Sequence, residues 1–367
     1  MRTVSFLVAF SAVVATHQAT PYGLHLSVAT DVTPDDHDPS PAVDVARQRD
    51  PISQLREGDG TAQRRRTGQD THAVKKVAPL TAEGHPDLQG MWLNNTATPL
   101  QREKDFADKA FFTEEEALDY EKHYLWDRAA VVNAGKPFEL EVGADVDAFD
   151  WGHVLPNRRT SLVVDPADGK VPALTPDAQR LLTERTEHLN AHYAENPEDL
   201  RNGERCLTMV AGSAAGAPML PAFYNNHVQI VQTADYVMIE SEMIHDARVI
   251  PLDGRPHLPA AIRQWKGDSI GRWEGDTLVV DTTNFTDRTM FRGSGTMLHV
   301  VERFTLSGAD MLTYQFTIDD PASFVRSWSA ELVVSKTDGR MFEYSCHEAN
   351  YSMTNVLRGA RFAEKNR

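Results

Sequence analysis

Beyond Cys206, large apolar residues alternate with polar ones at a spacing of two, the period that sends successive side chains to opposite faces of a strand. Runs with this period lie at His227–Gln232, Tyr236–Glu242, Ala247–Pro251, Thr277–Thr283, Leu298–Leu306, Met311–Ile318, Ser327–Val334 and Met341–Cys346. Short turn sequences separate many of them: Asp253-Gly254, Glu274-Gly275-Asp276, Gly308-Ala309-Asp310 and Asp338-Gly339. Strands at hairpin spacing predict an antiparallel meander that curls or closes on itself.

Before Cys206 the period is that of a helix. Phe106 to Val132 is the clearest such region: Thr113 precedes Glu114-Glu115-Glu116, a hydroxyl cap followed by acidic side chains that favour the positive helix end. Leu118, Tyr120 and Leu125 supply its apolar side. Thr175-Pro176 opens a second helix with proline in its first turn, and Leu181, Leu182 and Leu189 mark one face. Gly84 to Trp92 reads as a turn delivering a first strand, and Thr160 to Asp165 as a short strand stopped by Pro166 and the Asp168-Gly169 turn. The fold class expected is α+β and β-dominated: an antiparallel meander forming a barrel or strongly curved sheet, with flanking helices.

The front of the chain has neither period. Met1-Arg2 and the apolar run Val4 to Ala15, about twelve residues, match a secretory signal and are too short to span a bilayer. Ala15 and Ala19 offer cleavage points. From Thr20 to about Val77 the chain is polar and poor in large apolar residues, so it is expected to be disordered and separable from the fold. The division expected is a signal peptide over 1–19, a leader over 20–78, one β-rich domain over 79–361 and a tail over 362–367.

Composition narrows the partners. Of 367 residues, 41% are hydrophobic and 25% charged, and the formal net charge is −16. That charge disfavours nucleic acid and anionic membrane surfaces. After the signal no apolar run is long enough for a membrane span, so the mature form is expected free of the membrane. The partner classes left are a host protein or a small-molecule ligand. In a secreted chain the only two cysteines, Cys206 and Cys346, are expected to form one bridge, worth about 3–5 kcal/mol for so long a loop. Asn94, Asn284 and Asn350 each begin an Asn-x-Ser/Thr acceptor for glycosylation.

Two resemblances follow. Ser53-Gln54-Leu55-Arg56, followed by Glu57, Asp59 and the basic run Arg64-Arg65-Arg66, resembles the leader of secreted oomycete effectors. Those leaders carry Arg-x-Leu-Arg; here Ser53 stands at the first Arg. This resemblance implies delivery into a host plant cell to modulate defence. From about Pro86 to Arg361 the domain resembles an uncharacterised family of secreted bacterial proteins. Arg158–Pro166, Tyr224–Gln232, Glu242–His257 and Gly267–Val280 carry that likeness. It implies a domain boundary and no activity.

Chemistry must be read from the residues. No His-Glu-x-x-His, close Cys pair, Gly-x-Ser-x-Gly or phosphate loop occurs, so no metal or cofactor is expected. The stretch from Glu242 to Arg272 is dense in Glu, His, Asp, Arg and Trp. Glu242 and His245 are candidates for general acid and base if a bend brings them together, because both types can be tuned near neutral pH. Arg248 and Arg272 are candidates for holding a carboxylate, and Trp265 for stacking on a ring. Each type also serves packing or loop structure. Two readings remain: a secreted effector that binds a host target, and an extracellular acid–base enzyme (lyase, isomerase or hydrolase) for a small polar or glycan-like substrate.

Overall fold

The computed structural model describes residues 79–133, 157–208, 216–222, 224–289, 291–348 and 350–366, with 124–133 by backbone alone. The signal, the leader and the Ser53, Gln54, Leu55 and Arg56 motif lie outside the described residues.

The strands are β1 (Gly90–Leu93), β2 (Val163–Asp165), β3 (His227–Gln232), β4 (Tyr236–Ser241), β5 (Asp246–Pro251), β6 (Asp268–Glu274), β7 (Thr277–Thr283), β8 (His299–Leu306), β9 (Met311–Asp319) and β10 (Trp328–Lys336). The helices are α1 (Glu114–Asn133), α2 (Pro176–Ala191) and α3 (Tyr351–Lys365). All described pairings between strands are antiparallel, in the order β5-β4-β3-β1-β10-β9-β8-β7-β6, and β2 joins β10 beside this path. The sheet curls until β5 and β6, its two ends, face each other. At that seam a Cβ on Gly271 would lie 2.8 Å from Leu252 and 2.9 Å from Ile250, so β6 approaches β5 where a side chain is missing. The architecture is therefore the β-dominated, nearly closed barrel with flanking helices that the period predicted.

Alternation sets the core. On β9, Leu312, Tyr314, Phe316 and Ile318 point inward; on β8, Val300, Glu302 and Phe304; on β10, Trp328, Ala330, Leu332 and Val334. The ring of Tyr314 lies 5.0 Å from Phe304 and 5.9 Å from Phe316, and Trp328 meets Phe316 and Phe324 edge-on. Aromatic side chains thus fill the interior as in a packed small barrel.

Two expectations need correction, and one strand was not expected. Met341–Cys346 is no strand, because β1 and β2 already occupy the edge of β10 that it would have extended. The strand Asp268–Glu274 was hidden by its mixed, charged sequence. The supposed tail from 362 belongs to α3, which runs to Lys365 and is capped at its start by Asn350 Oδ1. The second helix starts as read: Thr175 caps it through the amide of Ala178, and Pro176 follows.

Candidate acid–base site

Strand β7 carries one charged residue in an otherwise uncharged run. Alternation puts Asp281 on the face opposite Leu278, Val280 and Thr282, which are buried. On β8 the same rule puts His299 opposite Val300 and Glu302. The antiparallel register then sets them side by side on the outer face: Asp281 pairs with Val301, two residues from His299. His299 Nε2 lies 3.0 and 3.1 Å from the two carboxylate oxygens of Asp281.

The loop between β5 and β6 adds the other half. His257 Nε2 lies 3.0 Å from Asp281 Oδ1, and its Nδ1 lies 2.9 Å from Asp268 Oδ2 at the start of β6. Asp268 also accepts the amide of Leu258, and the amide group of Asn284 donates to the Leu258 carbonyl, which pins the loop. The result is a continuous chain, Asp268–His257–Asp281–His299.

The electrostatics follow from this geometry. The hydrogen bond to Asp281 raises the pKa of His299, against the opposing effect of burial and with added attraction from Asp281 and Asp319. Burial alone would raise Asp281, but hydrogen bonds and charge from His299 and His257 outweigh it and hold that carboxyl below its usual value. His299 is 35% exposed at its side chain, and its Nδ1 makes no hydrogen bond among the described residues. Asp281 thus fixes the tautomer and leaves one ring nitrogen open, the arrangement of a general base oriented by a carboxylate. Among the described residues no group of three or more His, Cys, Asp or Glu is arranged to hold a metal ion.

The residues chosen from sequence are placed differently. Glu242 is 1% exposed and accepts from His227 Nδ1 at 2.9 Å, from the His227 amide at 3.2 Å and from the Phe342 amide at 3.0 Å. His245 instead faces Glu240, 3.6 Å away. The bend that was to unite Glu242 and His245 separates their side chains. After Ser241 the chain makes a tight turn in which Ile244 and His245 both adopt left-handed backbone, φ 66° and 53°. Arg248 is buried in the barrel, bonded to Glu302 at 2.6 and 3.0 Å. Arg272 pairs with Glu274 on the exposed face, and Glu274 also holds Arg303. Trp265 is half-buried in the loop that carries His257, and its carbonyl accepts from the hydroxyl of Thr289. No contact joins the side chains of Glu242, His245 and Arg272 among the described residues.

Cys206 and Cys346 are bonded, with Cα atoms 5.8 Å apart. The glycosylation acceptors are all engaged within the folded chain, two of them buried. Asn94 is wholly buried, with its side-chain nitrogen on the Met219 carbonyl, and Asn284 is 8% exposed and engaged with Leu258. Asn350 uses its nitrogen on the Glu204 carbonyl while capping α3.

None of His257, Asp268, Asp281 and His299 is among the candidates that the sequence offers. One signal was available: a lone Asp at an outward position in the apolar run of β7. Comparison with family models and with curated proteins finds no match to this chain.

Proposed function

We propose that this chain is a secreted, effector-like protein whose barrel carries an acid–base site for a small polar or glycan-like substrate. The observation that supports the chemistry is His299, oriented by both oxygens of Asp281 and open at Nδ1. In this reading Nδ1 takes a proton from a substrate hydroxyl or carbon acid, or from water, and returns it to the leaving group or product. Asp281 stabilises the imidazolium so formed, and His257 with Asp268 keeps Asp281 in place. Lyase, isomerase and hydrolase reactions all need such a step.

Delivery is supported by the sequence alone: the apolar start of the chain and the Ser53-Gln54-Leu55-Arg56 segment. A binding-only effector is the second reading. The aromatic filling of the barrel favours it, because the interior leaves catalysis only the outer face.

One experiment separates these. The full chain and its His299→Ala variant are expressed in plant cells and scored for altered defence or cell death. A phenotype lost in the variant, with the variant folded by circular dichroism, supports catalysis. A phenotype kept in the variant supports binding alone. No phenotype from either removes the effector reading and leaves an extracellular enzyme, to be assayed on small glycans and hydroxy acids.

A further inference from the structure

A second imidazole–carboxylate pair lies under the C-terminal segment. Glu242 accepts both the amide and the Nδ1 hydrogen of His227, which leaves His227 Nε2 as the nitrogen that takes a proton. Residues 337–348 cross directly over this pair. The amide of Phe342 caps the second oxygen of Glu242. Gly339 lies so close to the imidazole that a Cβ there would stand 2.5 Å from His227 Nε2. The strap therefore touches both members and closes the nitrogen that would otherwise accept a proton.

What holds the strap is narrow. It has no strand pairing, and the α3 helix that follows has no buried residue. Its noncovalent ties include the Thr337 amide on the Met91 carbonyl, Phe342 on Glu242, Tyr344 with Tyr224, Asn350 on the Glu204 carbonyl, and Arg361 on the carbonyls of Ala194 and Glu195. The covalent tie is Cys206–Cys346, which closes a separation of 140 residues. Beside Glu242, Ile244 keeps left-handed backbone despite its branched Cβ, a strained conformation that persists only where its surroundings enforce it.

We propose that the Cys206–Cys346 disulfide gates this pair: reduction frees the strap and α3 and opens His227–Glu242 to solutes as a second proton-accepting site. A dithiol reductant supplies two electrons and two protons. Each cysteine sulfur becomes a thiol, and the reductant closes to its own disulfide. The gate is independent of His299, so its failure leaves the reading of that site untouched.

The test uses the full chain, oxidised and reduced with dithiothreitol, and the double variant Cys206→Ser with Cys346→Ser. Amide hydrogen exchange is followed by mass spectrometry, and diethylpyrocarbonate modification is mapped to each histidine. The expected result is exchange at least tenfold faster over 337–365 and modification of His227 raised several-fold, in both the reduced protein and the double variant. His299, already open, changes little, and β8 and β9 keep their protection. Unchanged protection of the strap and His227 overturns the proposal. Loss of protection throughout the barrel overturns it equally, since the bridge is then a staple of the whole fold.

Discussion

Arg248 on β5 and Glu302 on β8 form a two-point ion pair inside the barrel, at 2.6 and 3.0 Å, with both side chains buried. The hydroxyl of Tyr314 donates to the same carboxylate at 2.8 Å and accepts the amide of Met219. Burial works against the charge on Arg248, but Glu302 more than restores it, and burial beside Glu302 drives Tyr314 well above its usual pKa. The pair ties β5, one end of the sheet, to β8 across the interior, and the Lys266–Asp246 bridge adds a contact between β5 and the segment leading into β6.

Breaking this pair should be costly. Arg248→Met leaves an uncompensated carboxylate in an apolar interior, with an expected loss of about 3–5 kcal/mol. Urea unfolding of the variant measures it. Adding Glu302→Gln to the same chain should recover a large part, because the unpaired charge is gone. A loss below about 1 kcal/mol for Arg248→Met would show that water or another cation reaches Glu302.

The His299–Asp281 pair should make stability depend on pH at both ends. His299 has its pKa raised by folding, so its contribution is complete below the unfolded value near 6.5 and is lost as pH rises through the folded value. Asp281 has its pKa lowered, so its contribution is present above the unfolded value near 3.8 and is lost as pH falls through the folded one. Wild type and Asp281→Asn should therefore differ most in stability between about pH 4 and 6.5. Histidine NMR titration provides the direct check: the His299 midpoint should fall in Asp281→Asn. An unmoved midpoint would show that Asp281 does not set it.

Two glycines with the same backbone angle should respond differently. Gly254 and Gly267 both have φ of 73°, but nothing lies within 4 Å of a Cβ on Gly254, whereas a Cβ on Gly267 would stand 2.6 Å from the Thr283 carbonyl. Gly254→Ala should cost about 1–2 kcal/mol, the penalty of left-handed backbone. Gly267→Ala adds overpacking and should cost about 2–5 kcal/mol. It also displaces Asp268 and so should lower the His299 midpoint, which Gly254→Ala should not. Equal costs from thermal unfolding would contradict this packing.

Much of the barrel was legible in the chain because alternation at a spacing of two is a local property. His227–Gln232 and Thr277–Thr283 agree residue for residue with β3 and β7; β4, β5, β8, β9 and β10 differ from their expected runs by a residue or two at their ends, and Met341–Cys346 forms no strand. Asp268–Glu274 escaped because its outward positions carry Asp, Arg and Glu and an inward one is a glycine at the seam. Helix α3 was not expected, although Met353, Val356, Leu357 and Ala360 recur in it at helical spacing.

The candidate site was far less legible. Glu242 and His245 are close in sequence, yet a left-handed turn parts them, and Glu242 finds His227 fifteen positions earlier. Asp268, His257, Asp281 and His299 come from a loop and three strands.

The sequence by itself determined the strand period, the β-rich class, the capped start of α2 and the presence of two cysteines, each a matter of local geometry or residue count. Only the tertiary structure decided which side chains meet. The strand period assigns each residue to a face, but neighbours across the sheet depend on register, and contacts across the barrel depend on closure. Asp281 meets His299 through the register of β7 on β8, and Arg248 meets Glu302 through the curling of the sheet. Both relationships arise from the pairing of whole strands, which no short segment encodes.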